Sequence, residues 1–175
     1  MNAIVSNINE RIGTQSGLEN IALFGIAEAV LVRESFESEK VLPMVIEAEG
    51  ECHDVLFDDA KDVSLYHRLL TKTYSTQNAK GFGDTPQREV TYDMALVVYG
   101  KRKAIDFMQL ERICVGAIEN VTNEANRMKT EVLSTNFNRL EVFAGEYVGL
   151  PFPIEPDIFL FKINYKLTRV QSPCH

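Results

Sequence analysis

Apolar and polar positions alternate most regularly in residues 89–99. Successive side chains of a strand point to opposite faces, so a period of two is typical of a strand with one buried face. The apolar positions of this stretch are Val90, Tyr92, Met94, Leu96 and Val98. The same alternation in residues 159–169 predicts a final strand, whose core-facing positions are Phe159, Phe161, Ile163, Tyr165 and Leu167. Both stretches are therefore predicted to cover a core with one face.

Four further stretches have features of strands. Residues 24–33 are rich in Ala and Glu, which favours a helix, but their alternation favours a strand, and we prefer the strand. Residues 41–48 are the next apolar stretch, and a hairpin between the two is predicted because neighbours in sequence usually pair. Residues 65–75 contain Leu, Thr and Tyr and predict another strand. Residues 140–143 are a short strand candidate within a weakly patterned stretch.

Two stretches carry apolar residues at the three- and four-residue spacing of an amphipathic helix. The first is 3–12, with Asn2 as a candidate N-cap and Gly13 as a candidate terminator. The second begins after Asp106, a typical N-cap residue, and is predicted to run to about Val121. Its apolar stripe consists of Phe107, Leu110, Cys114, Ala117, Ile118 and Val121.

The connecting stretches are polar and define the domain organisation. Residues 54–62 contain an acidic run and predict a solvated turn, and residues 122–129 predict a loop. Residues 76–88 contain Gly and Pro between two predicted strands and predict the loop of a long, projecting hairpin. Residues 148–157 contain three prolines and predict an extended connector. The order of elements predicts one α+β domain, residues 1–175, with a largely antiparallel sheet and two helices packed on one face.

Composition and charge narrow the functional classes. The chain has 175 residues, of which 45% are hydrophobic, enough to bury a core. Its apolar runs fall short of the roughly 18 to 20 residues of a membrane helix, and its N-terminus lacks the pattern of a secretion signal. A net charge of −7 argues against a binding footprint for duplex nucleic acid. We therefore expect synthesis in a cytoplasm and no membrane partner.

A glycine-bearing motif, GFGD, lies within the 76–88 loop. A phosphate-binding glycine loop requires a preceding strand and a following helix N-terminus, but here a strand is predicted to follow. Glycines at a hairpin tip supply turn geometry instead, and long projecting loops often carry contacts. The candidate interface to another subunit or a partner therefore consists of Lys80, Gly81, Phe82, Gly83, Asp84 and Arg88.

Residues with metal-binding or catalytic chemistry form no recognisable pattern in the sequence. Cys52-His53 and Cys174-His175 are pairs of adjacent residues, so a strand would direct at most one ligand of each pair inward. The sequence also lacks the ligand spacings that are typical of zinc sites. The three cysteines are widely spaced and imply no disulfide framework. His67 lies in a predicted strand, and we expect it at the surface or the rim. No catalytic residue, cofactor or metal is predicted.

The order of elements resembles the tail-terminator and neck-ring family of tailed bacteriophages. The likeness is carried by NAIVSNINERIG, by the strands around NAKGFGDTPQ, by YDMALVVYG leading into DFMQLERICVGAIENV, and by FLFKINYKLTR. More narrowly, the sequence is similar to small proteins of phages that infect Bacteroides-type bacteria, including the crAss-like group.

This resemblance implies a non-enzymatic virion protein of the neck or tail, made in the host cytoplasm. It implies a sixfold or twelvefold ring, closed by head-to-tail contacts, that connects the portal region to the tail and lines or surrounds the DNA channel. The implied partners are further copies of the chain and other neck, portal or tail proteins, with DNA only passing through. Hairpins would reach onto neighbouring subunits by strand addition, and acidic walls would repel DNA phosphates.

Two other functional classes remain open from the sequence. A small cytoplasmic enzyme would use His67, Asp62 and Glu89 and would have a concave pocket around His67. A host-factor-binding adaptor would instead use the loop from Lys80 to Arg88.

Overall fold

The structure, a computed structural model, describes residues 1–35, 38–46, 52–55, 60–77, 87–121, 128–138, 142 and 157–171. Its elements are α1 (Asn2–Ser16), β1 (Ile21–Ser35), β2 (Ser38–Ile46), β3 (Cys52–Asp54), β4 (Val63–Gln77), β5 (Gln87–Lys101), α2 (Phe107–Glu119), β6 (Met128–Asn136) and β7 (Ile158–Gln171). The prediction of an α+β fold is confirmed by this order of elements.

The strands form one sheet in the order β3-β2-β1-β4-β5-β7-β6. β1 and β4 run parallel, whereas the other neighbouring strands are antiparallel, as predicted for a largely antiparallel sheet. β1 changes neighbours along its length, because Ile21 to Ile26 pair with β4 and the residues from Ala27 onward pair with β2. The predicted hairpin between the first two strands is therefore confirmed.

Both helices pack on the same face of the sheet and share one hydrophobic core. The alternation predicted for β5 and β7 is confirmed, and the fully buried positions on this face include Met94, Leu96, Val98, Phe161, Ile163, Tyr165 and Leu167. The helices contribute Ile4, Val5, Ile8, Ile12, Leu110, Cys114, Ala117 and Ile118. Burial of each large apolar side chain contributes about 1.5–3 kcal/mol, so this face holds the helices to the sheet.

A smaller hydrophobic cluster lies on the opposite face of the sheet. It consists of Ala27, Val55, Tyr66, Val97, Tyr99 and Val142. The Tyr99 hydroxyl donates a hydrogen bond to the Val55 carbonyl oxygen, which ties the residue after β3 to the central strand. The sheet is therefore covered in part on both faces.

The sequence prediction is confirmed for the start of α2 but differs from the structure at both ends of α1. The Asp106 carboxylate accepts a hydrogen bond from the Met108 backbone nitrogen at 3.0 Å, which confirms the predicted N-cap of α2. α1 extends beyond the predicted terminator Gly13 to Ser16 and is capped by Gly17, whose φ of 64° is the left-handed conformation that glycine favours. The residue at its N-cap position is Met1 rather than Asn2, with no side-chain capping bond.

The weakly patterned part of the chain contains β6, which the sequence prediction missed. Thr130 of this strand places its hydroxyl 2.6 Å from the Ile118 carbonyl oxygen and 3.3 Å from that of Val121, so β6 lies beneath the C-terminal end of α2. Val142 is helical, which contradicts the predicted strand 140–143 at that position, and the rest of that range lies outside the described residues.

Gly100 lies at the end of β5, where three parts of the chain meet closely. A Cβ atom at this position would be 2.7 Å from the Asp62 carbonyl oxygen and 2.9 Å from Cζ of Phe159. The same Asp62 oxygen accepts a hydrogen bond from the Lys101 nitrogen at 2.8 Å. The absence of a side chain therefore allows the turn before β4 to reach the end of β5.

Candidate functional site

The second half of β4, residues 69–77, contains a long run of exposed side chains. β1 pairs with β4 only as far as His67, and the residues from Leu69 onward then pair with β5 on one side. Residues 69–76 are all exposed, including the apolar side chains of Leu70 (41%) and Tyr74 (53%). We call residues 69–77 the distal β4 segment. Its strand edge presents backbone groups in the geometry that another strand can join.

A β-bulge sets which side chains of the distal segment lie on which face. The register shifts between Leu69, which pairs with Met94, and Thr71, which pairs with Asp93. Lys72 then pairs with Tyr92, whose side chain packs at the edge of the core beneath the helices. Because of this shift, the even-numbered residues after the bulge lie on the helix side of the sheet.

Four side chains form a cation–aromatic cluster on that helix side. The Lys72 ammonium lies 5.0 Å from the ring centroid of Tyr74 and 5.5 Å from that of Tyr92. The Arg88 guanidinium lies 4.4 Å from the Tyr74 ring. Hydrogen bonding to Tyr74 raises the pKa of Lys72, so this amine stays charged at neutral pH. Such contacts hold two cations over aromatic faces at the surface.

The two faces of the distal sheet differ in charge. The register places Lys72, Arg88 and Arg169 on the helix side. It places the acids Glu89, Asp93 and Glu131 and the lysines Lys129 and Lys166 on the opposite side. A chain with an overall charge of −7 therefore has a local basic and aromatic strip next to a strand edge that the described residues leave unpaired.

The structure places only one of the six predicted interface residues. Arg88 is exposed at the start of β5 and contacts Tyr74. Lys80, Gly81, Phe82, Gly83 and Asp84 lie outside the described residues. Strand pairing continues to Gln77 opposite Gln87, which extends the β4–β5 pair into the predicted loop. The projection of that loop beyond the body stays a prediction.

His67 is fully buried, so the prediction of a surface or rim position is wrong. Its Nδ1 lies 2.7 Å from the Tyr165 hydroxyl and its Nε2 lies 2.9 Å from Oδ1 of Asn9. The Asn9 amide nitrogen donates to the Phe24 carbonyl oxygen at 2.8 Å, so Oδ1 is the atom facing the ring. This network assigns the proton of a neutral imidazole to Nε2, with Tyr165 donating to Nδ1.

Burial lowers the pKa of His67 to about 3, so the imidazole is neutral at physiological pH. Burial also raises the pKa of the Tyr165 hydroxyl, which stays protonated as the hydrogen-bond donor. Asn9, His67 and Tyr165 come from α1, β4 and β7, so the network joins a helix to two strands through satisfied polar groups. Its chemistry is that of a structural connection inside the core.

The three residues of the enzyme hypothesis are not assembled around His67. Asp62 lies before the start of β4, 3.7 Å from the Lys101 ammonium. Glu89 pairs with Ser75, which is about 26 Å along β4 from His67 at the usual rise of about 3.3 Å per residue. The groups that contact the imidazole are Asn9 and Tyr165 instead.

Within the described residues, no group of three or more His, Cys, Asp or Glu side chains is placed to hold a metal ion. Cys52 and His53 belong to β3, and Cys174 and His175 lie outside the described part of the chain. Cys114 is buried as predicted, and burial, followed by the nearby Glu111 carboxylate, raises the pKa of its thiol. No helix among the described residues is long and apolar enough to cross a bilayer.

Sequence reasoning missed Asn9, Lys72 and Tyr74, and it placed Tyr165 in the core without its hydrogen bond to His67. Asn9 interrupts the apolar face of α1, and a polar residue at such a position signals a buried hydrogen bond. Lys72 and Tyr74 gave no signal, because the bulge that places them beside Arg88 is not visible in the sequence. A scan against protein-family models finds no match for this chain, and a search of curated proteins finds none.

Proposed function

We propose that this chain is a structural subunit of a tailed-phage neck or tail. Identical copies form a sixfold or twelvefold ring that connects the portal region to the tail and surrounds the DNA channel. The observation that carries the proposal is the distal β4 segment, which pairs on one side only among the described residues and whose exposed apolar side chains and adjacent cations suit contact with another subunit.

The architecture supports the same assignment. The α+β arrangement with a largely antiparallel sheet and two helices on one face agrees with the resemblance to tail-terminator and neck-ring proteins. The pairing of β4 with β5 extends to Gln77 and Gln87, as expected for a hairpin that reaches towards a neighbour. The charge of −7 per copy suits a channel wall that does not retain DNA.

The buried histidine network supports a structural role over an enzymatic one. An acid–base catalyst must reach its substrate, whereas the His67 side chain is fully buried and both ring nitrogens have partners within the chain. The contribution of His67 to the stability of the fold is therefore sufficient to explain its presence. The subunit acts through its surfaces and its shape.

Light scattering across a range of protein concentrations tests the proposal. The wild-type chain is expected to give an oligomer of six or twelve copies. Leu70→Lys is expected to lower the mass towards that of the monomer, because it places a charge in the distal β4 segment. Met108→Lys is the matched control, since Met108 of α2 is equally exposed (40%, against 41% for Leu70) but lies outside that segment. A wild-type chain that is monomeric at every concentration contradicts the proposal.

A further inference from the structure

Four strands of the sheet form a block, and β1 covers only the first half of β4 in the described part of the chain. β5 and β7 are the inner strands of the series β4-β5-β7-β6. Among the described residues, the distal β4 segment pairs only with β5, and β6 pairs only with β7. One copy of the chain therefore offers two different strand edges on opposite sides of the same block.

The two edges have compatible directions. β4 is antiparallel to β5, β5 to β7, and β7 to β6. β6 consequently runs opposite to β4. When one copy is placed beside the next so that the sheet continues, β6 of the second copy lies antiparallel to β4 of the first.

Both edges expose apolar side chains at a bulge. The β4 bulge carries Leu70, and the register shift of β6 between Val132 and Ser134 leaves Leu133 unpaired and 47% exposed. Lys129 and Glu131 of β6 are exposed as well. Leu133 and Leu70 are thus apolar groups that edge-to-edge pairing would remove from water.

On the helix side, cations lie at the β4 edge, and the negative end of a helix lies at the β6 edge, where Arg169 of β7 is also present. The hydrogen bonds of Thr130 place the C-terminal end of α2 above β6. A helix C-terminus carries a partial negative charge, and Glu119 adds a carboxylate there. Lys72 and Arg88 lie on the same helix side beside the β4 edge. Pairing of the edges brings these cations next to the negative end of the neighbouring helix.

From these observations we infer that β6 of a second copy of this chain adds to the distal β4 segment and continues the sheet from subunit to subunit. The contact is head-to-tail, because the β4 edge meets a β6 edge rather than another β4 edge, and such contacts generate rings when the rotation closes. This inference rests on the proposed ring function and names the surfaces that would form the ring.

The faces of the sheet restrict the register of this contact. Thr73 and Ser75 lie on the face opposite to the helices, and so does Glu131. A continuous sheet keeps directly opposed residues on the same face. Thr71 is exposed on this face as well, so Thr71, Thr73 or Ser75 is expected opposite Glu131 of the next copy.

Cross-linking of the full chain with a short bismaleimide tests this contact. The background carries Cys52→Ser and Cys174→Ser, and the buried Cys114 is retained. The variants carry Glu131→Cys with Thr71→Cys, Thr73→Cys or Ser75→Cys. At least one of these pairs is expected to give a ladder of covalent oligomers. Glu131→Cys alone and Glu10→Cys with Glu131→Cys are the controls, since Glu10 is exposed on α1.

A charge exchange provides a second, independent measurement. Lys72→Glu is expected to raise the dissociation constant of the oligomer severalfold, and Lys72→Glu with Glu119→Lys is expected to restore it. An oligomer of normal mass that gives no ladder with any of the three cysteine pairs overturns the β4–β6 contact while leaving the ring proposal in place. A chain that is monomeric throughout overturns both.

Discussion

Acidification from pH 7 to pH 5 tests the role assigned to the buried histidine network. In the unfolded chain His67 binds a proton with the usual pKa of about 6.5, whereas burial lowers the folded-state pKa to about 3. Between these two values the unfolded state binds more protons than the folded state. The free energy of unfolding therefore falls as the pH drops below about 6.5, and the loss is complete near pH 3.

The magnitude follows from the two pKa values. The stability lost through one proton approaches about 1.4 kcal/mol per pH unit within this window, and it amounts to about 2 kcal/mol between pH 7 and pH 5. Because His67 is fully buried and contacts Asn9 and Tyr165, solvent does not screen the effect. A loss of this size is a large fraction of the stability of an ordinary domain.

Urea unfolding at pH 7, 6 and 5 measures this difference. His67→Gln is expected to unfold more easily at pH 7, and its free energy of unfolding should change much less than that of the wild type over the same pH range. His175→Gln is the matched control and should keep the wild-type slope. Equal stability of the wild type at pH 7 and pH 5 would refute the assignment, as would an undiminished slope in His67→Gln.

Three substitutions test other parts of the fold by chemical unfolding. Tyr165→Phe should lower the free energy of unfolding by about 1–3 kcal/mol because Nδ1 of the imidazole loses its hydrogen-bond donor. Tyr92→Phe, at a half-buried position, should change it by no more than about 0.5 kcal/mol. Equal losses in the two variants would contradict the role of the network. Gly100→Ala should cost about 1–3 kcal/mol through the close approach at the end of β5, while Gly116→Ala in α2 should not destabilise. Asp106→Ala should cost about 0.5–2 kcal/mol through loss of the N-cap, and an unchanged stability would show that the cap contributes nothing.

Local patterns predicted most of the elements. Two patterns show directly which face of an element is buried in the core. They are the alternation in β5 and β7 and the apolar stripe of α2 after Asp106. β6 was missed because its pattern is broken: Thr130 is buried by hydrogen bonds to α2, and the unpaired Leu133 shifts the remaining residues by one position. A bulge changes the face of the sheet on which the following side chains lie, and it leaves no regular pattern in the sequence.

The candidate sites depend on contacts between distant residues. His67 is 58 residues from Asn9 and 98 residues from Tyr165 along the chain, so its burial could not be read from its neighbours in sequence. Residues 69–75 of the distal β4 segment were predicted as a strand, but the edge that the described residues leave unpaired results from β1 leaving β4 after Ile26 to pair with β2. Such a change of partner is a property of the whole sheet.

Electron microscopy of the purified full-length chain tests the ring proposal most directly. The expected particle is a closed ring of six or twelve copies with a central channel wide enough for duplex DNA. Particles consisting only of monomers, twofold dimers or open filaments would contradict the proposal.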